Sequence, residues 1–169
     1  MEEQKYCSDS LVVKTSLVLP PDTNNNGTMF GGKLMAYIDD VAAISAMRHS
    51  RRSVVTASTD SVDFLHPIYE GNAVCLEAFV TYTGRTSMEV VVKVIAEDLL
   101  SGTRNLCVIS FLTFVALDEN EKPTLVPSII PQSEMEIKLY ESAVIRAEAR
   151  KKRRVGTKEI AAIFGTNQL

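Results

Sequence analysis

A turn rich in glycine and asparagine opens a long helix, and this feature is the best suited of any in the chain to chemistry. The turn spans residues 24–32 and ends in Gly31 and Gly32, and the helix that follows carries Asp39. A helix start offers backbone N–H groups without partners and the positive end of the helix dipole. A carboxylate nearby can activate water against an electrophile that those N–H groups hold. The combination predicts attack of water on a carbonyl group.

The surroundings of Asp39 favour it as the working acid. Met35, Ala36, Ala42 and Ala43 lie three and four positions away, which is the spacing of neighbours on one helix face. We therefore expect a small apolar face beside the carboxylate, with room for a substrate. The alternative is that Asp39 points to water, as most acids on helices do. The adjacent acid, Asp40, has bulkier neighbours and is the weaker candidate.

The glycines and Asn24 also have purely structural explanations. Gly31 and Gly32 can simply permit a tight turn into the helix. Their functional explanation is that glycine lets a ligand approach the backbone closely enough for an N–H to bind a carbonyl oxygen. Asn24 can hold the turn or present its amide to substrate or water, and composition alone favours a turn residue.

Other catalytic chemistries find little support in the sequence. His49 lies in a basic helix end, where a cation interacts favourably with the dipole, and His66 precedes Pro67 in a turn. We expect structural roles for both histidines. No Gly-x-Ser-x-Gly elbow and no metal-ligand spacing occur, so we expect neither a serine nucleophile nor a metal.

Two polar segments are candidates for contact with phosphate groups. The turn Arg85, Thr86 and Ser87 follows Gly84 and joins two strand-like stretches. Residues 146–154 carry six positive charges, Arg150 and Lys151 among them. This basic run is equally well explained as a solvated helix end or as a docking site for a polyanion such as a nucleotide diphosphate.

Bulk composition indicates one cytoplasmic domain. The chain has 169 residues, 46% of them apolar, and a formal net charge of −3, which argues against nucleic acid as the main partner. Its three cysteines form a sparse, odd set that favours a reducing compartment. No signal peptide and no apolar run long enough for a membrane span are visible, so we expect a cytoplasmic protein without a membrane partner.

Periodicity predicts an α+β fold. A strand at 10–19 is followed by a helix from Phe30 to about His49, and then by four strands and a second helix. The four strands are expected at 54–64, 73–83, 87–98 and 103–117, and the second helix at 134–154. Short turns favour antiparallel pairing, which gives one long helix wrapped by a curved five-stranded sheet. The open edges of such a sheet favour self-association.

Several motifs in the right order resemble the hotdog-fold acyl-CoA thioesterases, over roughly residues 10–155. The matching segments are Pro-Asp-Thr-Asn at 21–24, Gly27, Phe-Gly-Gly at 30–32, Leu-Met-Ala-Tyr-Ile-Asp-Asp-Val-Ala at 34–42, Val-Val-Thr-Ala-Ser at 54–58, Asp-Phe-Leu-His-Pro at 63–67 and Gly-Arg-Thr-Ser-Met-Glu-Val at 84–90. The resemblance implies a single hotdog domain over residues 1–155, with a C-terminal helix. Residues 156–169 form a tail that the family does not explain.

The resemblance also implies an activity and roles for residues. The expected reaction is hydrolysis of acyl-CoA to fatty acid and coenzyme A, with no cofactor besides the coenzyme A of the substrate. Asp39 corresponds to the catalytic carboxylate, Asn24 to its partner from the opposite subunit, and the Gly31–Gly32 backbone to the donor for the thioester carbonyl. Thr56 is also expected to contact substrate, as are the two polar segments described above, the turn at 85–87 and the basic run with Arg150 and Lys151. Relatives form dimers, commonly assembled into homohexamers as trimers of dimers.

Two other functions remain as alternatives. A non-catalytic module that binds acyl-CoA or a nucleotide would keep the fold and the pocket. A dehydratase would need a histidine near the helix start, and neither His49 nor His66 is expected there. Relatives often carry histidine where this chain has Phe30, so any polar role of that side chain is absent. Preference for acyl length would depend on a tunnel beside Ala42, Ala43 and Ala46.

Overall fold

The computed structural model describes residues 4–165 and contains a five-stranded antiparallel sheet with one helix on each face. In chain order, the helices and strands are β1 Gln4–Tyr6, β2 Val12–Leu17, α1 Gly31–Ser50, β3 Ser53–Phe64, β4 Ala73–Thr83, β5 Ser87–Glu97, β6 Arg104–Leu117, β7 Ser128–Ile130 and α2 Glu134–Ile163. The sheet has the order β2–β4–β5–β6–β3, which leaves β2 and β3 at its two edges. The five antiparallel strands around one long helix are as predicted.

The inner helix α1 packs against the sheet through one continuous stripe. The buried apolar side chains of this stripe recur at helical spacing and are Leu34, Ile38, Val41, Ala42 and Ala46. The helix ends at Ser50, and the next residue, Arg51, has a φ of 53°, the left-handed conformation typical of helix ends. His49 is buried rather than solvated, and its Nε2 lies 2.8 Å from the carbonyl oxygen of Pro127.

Successive side chains of β5 point to opposite faces of the sheet, and both faces are buried, which explains why a helix covers each of them. Met88, Val90 and Val92 are fully buried and belong to the core that contains the stripe of α1. Glu89 lies between them in sequence and therefore points to the opposite face. There it is covered by Arg146 of α2, whose Nη2 is 2.7 Å from Glu89 Oε1.

Three details differ from the sequence-based predictions. Strand β3 pairs with β6 and not with β4, the strand that follows it, because the chain crosses over between them. Residues 4–6 and 128–130 form a small parallel ribbon, β1–β7, which is too short to leave a periodic signal. Helix α2 continues to Ile163, so most of the predicted tail at 156–169 is helical as far as the structure describes it. Neither helix in the described chain is long and apolar enough to cross a membrane.

Candidate active site

The start of α1 has two backbone N–H groups with no acceptor. The residue before the helix is Phe30, which has no side-chain oxygen to cap it. The Phe30 carbonyl accepts hydrogen bonds from the N–H groups of Lys33 and Leu34, at 3.0 and 3.1 Å. Within residues 4–165, the N–H groups of Gly31 and Gly32 have no hydrogen-bond acceptor. The sequence-based prediction of open donors at these glycines therefore agrees with the geometry.

Asn24 organises the turn that leads to these donors. Its Oδ1 accepts a hydrogen bond from the Asn26 N–H at 2.8 Å, and its Nδ2 donates to Thr28 Oγ1 at 2.9 Å. Gly27 adopts a φ of 71°, which suits glycine in such a turn. Asn24 and Gly31 nevertheless both line one cleft of about 330 Å³, here called the first cleft. The structural and functional explanations of Asn24 are therefore compatible.

The first cleft also contains His66, which sequence reasoning placed away from the helix start. Residues 64–68, which begin with the last residue of β3, line this cleft together with Gly31. Two hydrogen bonds hold this connection between β3 and β4 beside the start of α1. The Leu65 N–H donates to the Cys107 carbonyl, and the Met29 N–H donates to the Ile68 carbonyl. These long-range contacts leave no local signal in the sequence. The exclusion of a histidine from this region was therefore wrong.

Asp39 is exposed in the single chain, as in the alternative given above, beside the exposed Ala36 and the half-buried Ala43. Ala42 and Ala46 point into the core, where both are fully buried. The tunnel predicted beside them is therefore filled by packed core side chains. The Asp39 carboxylate lies instead between α1 and the edge strand β3, where Oδ1 accepts a hydrogen bond from Thr56 Oγ1 at 2.9 Å. The prediction failed because alanines spaced around a helix do not identify which face is buried.

Asp40 has a different partner and points to the other side of the helix. Its Oδ2 is 2.8 Å from Lys14 Nζ on β2, the opposite edge of the sheet from Thr56. The two neighbouring acids thus occupy different environments. Only Asp39 shares a helix face with Gly32, seven residues before it.

Asp39 and the donors of the same chain face in opposite directions. Seven residues of helix correspond to about 10 Å along the axis. The free N–H groups at a helix start point away from the body of the helix. A carbonyl oxygen bound to Gly32 would therefore lie beyond the helix start, farther from Asp39 of that chain than one bridging water can reach.

The turn Arg85, Thr86 and Ser87 lies at a second cleft, of about 350 Å³. Arg52 and Arg85 both line this second cleft, together with Thr83 and Pro127. The Thr86 carbonyl accepts a hydrogen bond from the Ala116 N–H, so the turn is fixed to β6. Strand β5, which begins at this turn, and strand β3, which carries Thr56, are separated by β6. The two strands therefore lie about 10 Å apart in the sheet.

In the described part of the chain, three of the six cations in the basic run of α2 form ion pairs, and Arg150 is one of them, contrary to its predicted contact with phosphate. Arg150 and Arg153 both pair with Asp60 of β3, and Asp60 is nearly buried. The guanidinium of Arg150 is therefore directed to the sheet and not to a free phosphate. Lys151 is exposed. Between Gln4 and Gly165, no three histidine, cysteine, aspartate or glutamate side chains come together as a metal site would require.

Comparison with known proteins assigns the family. Residues 26–103 match the model of the thioesterase superfamily. The uncharacterised acyl-CoA thioester hydrolase YkhA of Bacillus subtilis is 57% identical over 98% of this chain and 96% of its own. The acyl-CoA hydrolase of Staphylococcus aureus, solved with butyryl coenzyme A, coenzyme A and coenzyme A disulfide, is 46% identical with a TM-score of 0.92, over 96% of this chain and 99% of its own. A hexameric acyl-CoA thioesterase solved without ligand is 55% identical with a TM-score of 0.88, over 90% of this chain and 97% of its own.

The Staphylococcus aureus enzyme has also been solved as three alanine variants. They replace one asparagine, one aspartate and one threonine, and the asparagine variant is in complex with coenzyme A. The aspartate lies 15 positions after the asparagine, and the threonine 17 positions after the aspartate. Asn24, Asp39 and Thr56 have the same separations. The chain therefore belongs to the hotdog-fold thioesterase superfamily and, within it, to the acyl-CoA thioester hydrolases.

Proposed function

We propose that this protein hydrolyses acyl-CoA thioesters, with water activated by Asp39 and the thioester carbonyl held by the N–H groups of Gly31 and Gly32. Water adds its oxygen to the acyl carbon, the C–S bond breaks, and the sulfur leaves as the thiol of coenzyme A. The observation that carries the proposal is the start of α1, where two adjacent N–H groups without an acceptor in residues 4–165 belong to glycines, and where Gly31 lines one cleft with Asn24. Donors placed where negative charge develops on the carbonyl oxygen stabilise the transition state without reorganisation.

Asp39 is proposed as the general base of this reaction. Thr56 Oγ1 donates to one carboxylate oxygen, which fixes the rotamer and leaves the other oxygen available to a water molecule. Exposure in the single chain leaves the carboxylate accessible to water. The matching separations of the asparagine, aspartate and threonine varied in the Staphylococcus aureus enzyme support the same three positions here.

The working site is proposed to need a second copy of the chain. Because the donors of Gly31 and Gly32 point away from Asp39 of their own chain, one substrate cannot engage both in a monomer. The donors and Asn24 of one copy would instead face Asp39 and Thr56 of another. The hexameric relative supports a homo-oligomer, either a dimer or a trimer of dimers.

Coenzyme A is proposed to extend towards the second cleft, which Arg85 lines, with the hydroxyls of Thr86 and Ser87 next to it in the same turn. Lys151 remains a candidate for its phosphates, since it is exposed on α2. We further propose that the reaction belongs to fatty acid metabolism, because its products are a free fatty acid and coenzyme A, and that it takes place in the cytoplasm, where free cysteines such as those of this chain stay reduced.

Release of thiol from acyl-CoA tests the proposal. The wild-type protein should release coenzyme A catalytically, whereas Asp39→Asn should lose roughly 10²–10⁴ in kcat, the usual contribution of a general base. Equilibrium binding of coenzyme A should persist in that variant. Asp40→Asn is the matched control and should retain activity, because that acid pairs with Lys14 on the other side of α1.

The same assay separates an enzyme from a binding module. Stoichiometric binding of acyl-CoA with no thiol release by the wild type would support a non-catalytic module and contradict the proposal. The two buried thiols of the protein should add little background. Burial raises the pKa of the Cys7 thiol to about 12 and also raises the pKa of Cys107, so neither forms the reactive thiolate near neutral pH.

A further inference from the structure

The ring of Phe30 lies directly against the backbone of Gly32. A Cβ atom built on Gly32 would be 2.6 Å from Phe30 Cε1 and 3.0 Å from Cζ, closer than unbonded carbon atoms approach. The ring is nevertheless 57% exposed, so its outer face is open to solvent or to a ligand. Phe30 therefore occupies the flank of a proposed carbonyl donor without being part of the core.

We propose that Phe30 is a specificity-determining residue, whose ring contacts the first carbons of the acyl group beside the thioester carbonyl. This inference rests on the proposed function. A carbonyl oxygen held at 2.7–3.1 Å from the Gly32 N–H places its neighbouring carbons within reach of a side chain that touches Gly32 itself. The exposed face of an aromatic ring is the natural contact for methylene groups there.

The placement of the ring does not serve the stability of the helix. A residue with a side-chain oxygen at this position would cap α1 by bonding the second or third N–H, and phenylalanine cannot. The ring also replaces water beside the open donors, which strengthens a hydrogen bond between Gly32 and a substrate carbonyl. Phe30 thus leaves the donors free of protein acceptors and lowers the polarity around them.

Because the Phe30 ring lies against Gly32, we expect substitutions at these two positions to have coupled effects. Any side chain at position 32 must displace the ring, and the atoms it meets are the far end of an exposed side chain that can swing away. Gly32→Ala keeps the backbone N–H and a good helix former. It should therefore act mainly by moving the ring, and its effect should resemble that of Phe30→Ala.

The test compares acetyl-CoA with butyryl-CoA as substrates of purified oligomer. Phe30→Ala should lower the ratio of kcat/KM for butyryl-CoA over acetyl-CoA by about 10-fold, the lower end of what one or two methylene contacts contribute. Gly32→Ala should lower this ratio similarly, and the double variant should add little to either. Phe164→Ala, at a site 77% exposed near the end of α2, is the matched control and should leave the ratio unchanged.

Three results would overturn the inference while the wild type remains active. They are an unchanged acyl ratio in Phe30→Ala, full additivity of the two alanine substitutions, or a change confined to the oligomeric state, which would make Phe30 an interface residue. Thermal unfolding of each variant separates loss of fold from loss of selectivity. A wild type that hydrolyses neither substrate would instead contradict the proposed function.

Discussion

The two helices of this protein begin with different residues and different caps. Helix α2 starts with a complete capping box, in which Ser133 Oγ accepts from the Glu136 N–H and the Glu136 carboxylate accepts from the Ser133 N–H at 2.9 Å. Helix α1 starts after Phe30, without any side-chain cap and with two N–H groups open. An N-cap typically stabilises a helix by about 1 kcal/mol. Both helix starts leave two N–H groups without an acceptor within the described residues. Those of α2 belong to Glu134 and Met135, whereas those of α1 belong to glycines, so a ligand can approach the donors of α1 without meeting a side chain.

The two helices also differ in how their polar side chains are paired. The buried side of α2 is held to the sheet by charge pairs, with Glu89 only 1% exposed beneath Arg146 and the Arg146 guanidinium 4.0 Å from the ring centroid of Phe111. The exposed side of α1 carries Asp39, whose one hydrogen bond, to Thr56, leaves an oxygen free. Satisfied polar groups stabilise α2 on the sheet, and unsatisfied ones make α1 available for chemistry. Each substitution below should affect stability or activity, but not both.

The largest expected effect on stability comes from Arg146→Met. Removing Arg146 takes the closest cation from the buried Glu89 carboxylate and leaves it with Arg150 at 3.9 Å and the Thr81 hydroxyl, so the free energy of unfolding should fall by about 3 kcal/mol, the lower end for a broken buried pair. Urea denaturation of the variant measures this loss, with Lys152→Met as the control for an exposed cation on the same helix. Loss of thiol release at temperatures where Arg146→Met is still folded would show that α2 also takes part in catalysis.

Substitution by proline at the first position of each helix tests whether the N–H groups at the two helix starts have different roles in activity. Gly31→Pro removes one open N–H while keeping a residue that is well tolerated there, because Phe30 already has the extended backbone that precedes proline. We expect kcat to fall roughly 10²–10³-fold with unfolding unchanged. Glu134→Pro makes the same change in α2 and should keep full activity. Equal rates for the two variants would remove the Gly31 N–H from the mechanism.

Loss of the capping box should affect stability alone. Ser133→Ala removes the side-chain acceptor of the Glu136 N–H, so the free energy of unfolding should fall by about 1 kcal/mol. The kcat for acyl-CoA should stay at the wild-type value. A change in kcat larger than that in stability would mean that the start of α2 communicates with the site.

The smallest effect is expected at His66, although it lines the first cleft with Gly31. His66→Asn should change thiol release by no more than about 2–3-fold, as for an exposed side chain outside the reaction. Assay of hydration of an unsaturated acyl-CoA by the wild type provides the complementary measurement. A large loss in the variant, or measurable hydration by the wild type, would make His66 a catalytic histidine and favour dehydratase chemistry.

The features that the sequence predicts well are those with local causes. The long helix, the five strands and the open donors follow from periodicity, turn residues and the glycine pair. The burial of Ala42 and the exposure of Asp39 depend on which side of α1 meets the sheet, and small residues on several sides of a helix leave this undecided. Arg150 and His66 were misjudged because their surroundings come from segments distant in sequence, Asp60 and the start of α1 respectively.

Complementation between two inactive variants tests the central claim, that one chain supplies the carbonyl donors and another the carboxylate. Asn24→Ala and Asp39→Asn, carrying different tags, are co-expressed, and the mixed oligomer is purified through both tags. A mixed dimer contains one site with both native residues, so thiol release should recover to roughly half of the wild-type rate per dimer. Mixed oligomers as inactive as either parent would contradict the shared site, because Asn24 and Asp39 would then have to act within one chain.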